Sequence, residues 1–102
     1  MRAALIGTAG SFSVGTFAEP QPEPGCSLVT VSTAGLGPTD LMRAKGFFGP
    51  VGAPYVPAGE GLGHLAAGRR VYFGHSKPPY GALAERTLVP DDEIWAAPPT
   101  LS

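Results

Sequence analysis

Charge is what this 102-residue chain has least of: 15% of its residues are Asp, Glu, Lys or Arg, eight acidic against seven basic, for a net charge of −1. So sparse and balanced a set cannot build the positive field that nucleic acid or an anionic membrane surface demands, and both are excluded as partners. A near-neutral surface also does little to oppose self-association, so a homo-oligomer is an open expectation. Cysteine is nearly absent. Cys26 stands alone, which rules out an internal disulfide framework and is compatible with a cytoplasmic location. Long apolar runs are missing too. The apolar stretch after Met1-Arg2 is broken by Gly7 and Gly10 before it reaches the length of a signal-sequence core, and nothing approaches a membrane-spanning helix. A cytoplasmic protein is the default expectation.

What the chain does have is glycine and proline, fifteen and twelve of them. Such a share can signal disorder. Here, however, 43% of the residues are hydrophobic, and segments such as Arg2–Ile6, Leu28–Ala34 and Val71–Phe73 interrupt the turn formers at short intervals. A chain with that much apolar surface can offset its ordering entropy. Short strands joined by tight turns are the reading that fits, in one domain spanning 1–102.

Along the chain, Arg2–Ile6 reads as a first strand, and Ser11 to Phe17 as a segment that pairs back on it. Glu19-Pro20-Gln21-Pro22-Glu23-Pro24-Gly25 lacks an amide donor at every second position from Pro20, so it is an extended surface connection. Ser27–Ala34 is the strongest strand, with Val29, Val31 and Thr33 expected on one face and Leu28, Thr30 and Ser32 on the other. Residues 38–45 read as the only helix: Pro38 at its first position, Asp40 in the first turn, Lys45 in the last, and Gly46 as a left-handed cap. Phe47 to Gly59 is loop. Short strands are expected over 61–66, 70–73, 82–89 and 93–96. The fold class is mainly β, a small irregular barrel with one short helix.

Several segments occur in a fixed order: the Met-Arg-Ala-Ala-Leu start, Glu19-Pro20-x-Pro22-x-Pro24-Gly25, the strand ending Ala34-Gly35-Leu36, and Gly37-Pro38-Thr39-Asp40-Leu41. Val56-Pro57-Ala58-Gly59-Glu60-Gly61-Leu62-Gly63, Gly68-Arg69-Arg70-Val71 and Tyr80-Gly81-Ala82-Leu83-Ala84-Glu85 follow. Together they cover nearly the whole chain, and the set resembles the N-terminal GroES-like catalytic domain of medium-chain dehydrogenases/reductases, in particular the zinc-independent, quinone oxidoreductase-like branch. The resemblance implies a partly open GroES-like barrel without its Rossmann domain. It implies a cofactor, NADP or NAD, in the parent protein and none for this chain alone. It also implies a nucleotide-binding domain as partner, in cis or trans, and a small quinone or enone substrate. The zinc enzymes of that family carry Cys where Gly37 stands and His where Gly59 stands, so no zinc is expected. His64, His75 and Cys26 add no recognised metal spacing. The segment 62–68 is shorter than in that family, which predicts a more open barrel, a compensating partner strand or reduced stability.

The resemblance places Gly37, Pro38 and Asp40 beside the nicotinamide, and Tyr55 and Tyr80 as candidates for a substrate pocket. Asp40 and Glu60 are the catalytic candidates. Each has a simpler reading as well: Asp40 as a helix N-terminal carboxylate, Glu60 as an acceptor for backbone amides or a partner for arginine, and the tyrosines as covers over the core. Gly59-Glu60-Gly61-Leu62-Gly63 carries a carboxylate and no following helix, so it is no phosphate cradle. The function expected is the catalytic-domain portion of an NAD(P)H-dependent oxidoreductase, inactive as this chain alone. The alternative is a stand-alone GroES-like binding or assembly module without enzyme activity.

Overall fold

The computed structural model describes residues 1–7, 10–49 and 51–98. Seven strands and one helix follow in the order β1 (Arg2–Ile6), β2 (Phe12–Thr16), β3 (Cys26–Gly35), α1 (Pro38–Ala44), β4 (Glu60–His64), β5 (Arg70–Phe73), β6 (Arg86–Pro90) and β7 (Ile94–Ala96). A 3-10 turn at Asp91–Glu93 leads into β7. β1 and β2 form an antiparallel hairpin, with Arg2 opposite Thr16 and Ile6 opposite Phe12. The other five strands form one antiparallel sheet in the order β6-β3-β4-β5-β7. The mainly-β, partly open barrel with a single helix is therefore the architecture that forms.

The short link between β4 and β5 closes as a tight hairpin. His64 lies opposite Arg70, Leu65 N donates to Arg69 O at 2.9 Å, and Gly68 N donates to Leu65 O at 2.8 Å. Gly68 adopts φ of +90° there, a left-handed conformation that glycine enters without steric cost. No strand is inserted in this link. Among the described residues β7 is the last strand on its side of the main sheet, while on the β6 side Lys77 N donates to Leu88 O at 2.8 Å.

The concave face of the sheet carries the core, made of Val29, Val71, Phe73 and Val89, all fully buried, with Ala58 and Ala82. Alternation along β3 departs from expectation. A bulge shifts the register between Val31 and Thr33, so the residue that packs on the core beyond Val31 is Ala34, while Thr33 is exposed. One extra residue reverses the parity of a period-2 pattern, and no periodicity count can anticipate that. The expected 82–89 strand is also shorter. Ladder pairing begins at Arg86, and Ala84 instead bridges Ala3 of the hairpin. With the bridge from Ile6 to Tyr55, this is how the hairpin is fastened to the rest. No helix among the described residues is long and apolar enough to cross a membrane.

The proline-rich connection is held by charge. Glu19 receives both Arg86 Nε and Nη2 at 2.6 Å, and Lys77 pairs with Glu23. The Arg86 guanidinium holds the Glu19 carboxyl below its ordinary value of 4.5. A lowered folded value means the clasp stabilises fully above the unfolded pKa and loses its contribution as pH falls through the folded one. Glu19→Gln is thus expected to flatten the acid limb of a stability-versus-pH curve, measured by urea unfolding from neutral pH downward. An unchanged acid limb would show that the clasp contributes nothing.

Candidate functional site

The helix α1 organises the site. Asp40 sits in its first turn, where Oδ2 accepts the Gly37 amide at 2.8 Å. That is the capping interaction expected of a carboxylate at a helix start. At the other end Lys45 caps the helix and Gly46 takes φ of +84°. None of the helix residues is buried, so α1 lies on the surface with hollows on its flanks.

Three hollows meet there. The first, of about 280 Å³, is apolar and is walled by Gly37, Asp40, Leu41 and Ala44 with Ile6, Phe12, Leu36, Pro57 and Leu83. The second, of about 220 Å³, is of mixed character: Thr39, Asp40, Arg43, His75, Ser76 and Tyr80 line it together with Val56, Ala58, Gly59 and Pro78. The third, of about 340 Å³, is formed by Arg43 with Phe48, Pro54, Tyr55, Pro78 and Pro79. Asp40 is shared by the first two and Arg43 by the last two. Around them Phe12, Leu36, Leu41, Phe47 and Phe48 remain exposed.

Of the residues singled out from the sequence, Gly37, Asp40, Tyr55 and Tyr80 are gathered about α1. Pro38 is there as the first helical residue. Glu60 is not. It lines a separate hollow with Gly35, Leu62 and Tyr72 on the outer face of the sheet. Among the described residues its partner is neither an arginine nor a backbone amide but the Tyr72 hydroxyl, which donates to Oε2 at 3.3 Å. Tyr80 packs edge-on against Phe17, with ring centroids 5.9 Å apart. Thr39, Arg43 and His75 line the hollows too, though the sequence did not mark them as site residues. Arg43 was within reach, standing one helical turn after Asp40. His75 carried no such signal, because a long loop brings it to the helix.

Tyr55 is buried, and the Arg43 guanidinium lies 3.8 Å from its ring centroid, a cation-π arrangement. Its hydroxyl is enclosed and has no hydrogen-bond partner among the described residues. A buried donor left unsatisfied costs about 1–3 kcal/mol. Tyr55→Phe keeps the ring beneath Arg43 and is expected to raise stability by about 1 kcal/mol in urea unfolding. A loss of stability would mean that the hydroxyl has found an acceptor. Close by, Ala58 holds φ of +71°, a left-handed conformation a side chain adopts only under constraint. Its carbonyl accepts the Ala82 amide, and Gly59 O accepts the Ser76 amide at 2.9 Å. These bonds fix the wall of the second hollow.

Among the described residues no group of three or more His, Cys, Asp or Glu side chains is placed to hold a metal ion. The apolar hollow presents Gly37 without a side chain and a greasy wall behind it, a surface suited to one face of a planar ring. Among the described residues no lysine or arginine lines that hollow, so phosphate groups of a nucleotide would find no counter-charge in it.

The fold is that of the N-terminal, GroES-like domain of medium-chain dehydrogenases/reductases. Similarity to solved structures agrees. The quinone oxidoreductase of Thermus thermophilus, whose structure is also known as a complex with NADPH, matches over 100% of this chain and 34% of its own, with 29% identity and a TM-score of 0.83. The human synaptic vesicle membrane protein VAT-1 homolog-like protein matches over 100% and 37%, with 28% identity and a TM-score of 0.86. An alcohol dehydrogenase superfamily protein from Novosphingobium aromaticivorans shares the fold over 100% and 36%, at a TM-score of 0.85 and 23% identity. The chain spans about a third of the length of these proteins. No protein-family profile matches it. No curated protein does either.

Proposed function

We propose that this chain is the substrate-side domain of a zinc-free, NAD(P)H-dependent quinone or enone reductase, and that it turns nothing over without a nucleotide-binding domain. The observation that carries the reading is the end-to-end match to a quinone oxidoreductase at 29% identity, with α1 and its hollows exposed as one side of a cleft. The donor set supports the zinc-free part. Gly37 and Gly59, which stand where zinc-dependent relatives carry ligands, have no donor atoms in their side chains, and tetrahedral zinc needs three or four.

A bound nicotinamide would supply the hydride. The chain's own residues do the rest. Gly37 and the apolar hollow leave a flat, dry surface for a ring. Arg43, at the junction of two hollows, offers positive charge to the oxygen on which negative charge develops as a quinone or enone is reduced. Thr39 and His75 line the same hollow, within which a proton can be handed to that oxygen, and Tyr55 and Tyr80 provide aromatic walls. Asp40 holds the helix start and is a positioning residue.

The test is an NMR titration of the chain with a soluble benzoquinone in place of substrate. Amides of Gly37, Thr39–Arg43, Gly59, His75–Lys77 and Tyr80 are expected to shift together, while NADPH oxidation with the same quinone stays at background. Turnover by the chain alone, or shifts confined to other surfaces, would overturn the reading.

A further inference from the structure

The outer face of the main sheet carries a feature the cleft does not use. Leu62 lies opposite Tyr72, and Tyr72 opposite Trp95, so all three project to the same side, with Glu60 two residues before Leu62 on that side as well. Tyr72 and Trp95 are 38% and 50% exposed. Their ring centroids lie 5.7 Å apart with the planes tilted by 34°. Two carboxylates flank them. Glu60 Oε2 accepts the Tyr72 hydroxyl at 3.3 Å. Glu93 and the Trp95 ring meet over Gly74, where an added Cβ would stand 3.0 Å from Glu93 Oε2 and 3.2 Å from Trp95 Cζ3.

Among the described residues neither Glu60 nor Glu93 has a cationic group within 4 Å, although Glu19 and Glu23 both do, and Arg70, on the same face two residues before Tyr72, makes no ion pair either. A hollow of about 330 Å³ opens between Glu60, Gly35, Leu62 and Tyr72, and the glycine leaves it unobstructed. Both carboxylates push the Tyr72 phenol above its ordinary value of 10.0, as a negative potential at the ring requires.

We propose that this face docks an arginine side chain presented by a partner protein. An apolar partner would cover the rings but strand two carboxylates, and an anion would be repelled by them. A cation satisfies both features. A guanidinium does so best, because its plane stacks on an aromatic face while its edge bonds a carboxylate through two N–H groups. A protein segment is favoured over a free small cation by what lies beside Trp95. β7 is the outermost strand of the sheet, and an extended segment laid along it gains backbone pairing together with the stacking. The proposal does not depend on the function of the cleft.

Trp95 is the only tryptophan in the chain, so its fluorescence and indole NMR signal report on this face alone. The probe is a capped pentapeptide, Thr-Val-Arg-Val-Thr, compared with versions carrying lysine or the neutral isostere citrulline in place of arginine. The arginine peptide is expected to give a saturable change that weakens with added salt. The lysine peptide should bind several-fold more weakly, and the citrulline peptide should give no saturable change. Glu60→Gln, at an exposed position that leaves the core untouched, is expected to weaken the arginine peptide by about fivefold. Equal binding of the three peptides, no response at Trp95, or indifference to Glu60→Gln would each overturn the proposal. A benzoquinone that shifts α1 but leaves Trp95 unmoved tests the cleft separately.

Discussion

Phe73→Ala is expected to remove about 3–5 kcal/mol of stability, the range for deleting a buried aromatic side chain. Phe73 is fully buried at the centre of the concave face, among Val29, Val71 and Val89. The loss has two parts: transfer of the ring to water, and a cavity the neighbours cannot close. Val29 and Val71 are stiff β-branched residues fixed in paired strands, so little of the space can be recovered. Against a total of about 5–15 kcal/mol for a domain of this kind, such a loss takes the chain to the edge of folding. Urea unfolding followed by circular dichroism measures it, and a loss below about 1 kcal/mol would show that the core lies elsewhere.

Gly63→Ala is expected to be nearly as damaging for the opposite reason. A Cβ there would stand 2.2 Å from Thr30 O and 2.7 Å from Val29 Cγ1. The first of these is backbone in a paired strand, so it cannot step aside, and β3 and β4 must separate. Overpacking of this kind costs about 1–3 kcal/mol and more where backbone must move. Gly61, which faces Thr33 O at 2.3 Å, shares the constraint. Gly52→Ala is the control, since among the described residues nothing lies within 4 Å of its added Cβ. It is expected to change stability by less than about 1 kcal/mol. If Gly63→Ala behaved like Gly52→Ala, the close approach of β3 to β4 would be wrong.

These glycines show what a sequence reveals and what it hides. Within the glycine-rich string 59–63, Gly61 and Gly63 are where the backbones of β3 and β4 come closest. Gly81 is under the same constraint, with Val56 O 2.2 Å from an added Cβ, and it lies before β6. Helix α1 was legible from local chemistry: Pro38 opens it, Asp40 caps its start and Gly46 takes the left-handed φ, while Lys45, expected in the last turn, is the C-cap and Arg43 is the basic residue of that turn. The hairpin and the 70–73 strand were legible from composition and spacing. The bulge in β3 was not, because a single inserted residue leaves no compositional trace.

The site divides along the same line. Gly37, Asp40, Tyr55 and Tyr80 come together because they lie on or next to elements the pattern fixes. His75 joins them through a loop whose path depends on tertiary hydrogen bonds, such as Ser76 N to Gly59 O. Glu60, a catalytic candidate from the sequence, does not join them. Strand alternation sends it to the other side of the sheet from Gly61, and so to Tyr72 rather than to the cleft.

The exposed aromatic and aliphatic side chains around α1 also set the colloidal behaviour of the domain. With a net charge of −1, there is almost no mutual repulsion to keep two such greasy rims apart. Encounters between copies should therefore grow stickier in sulfate, which strengthens apolar burial, and not be rescued by it as a charge-driven aggregate would be. Handling the domain in solution then becomes a matter of giving that rim something to rest against.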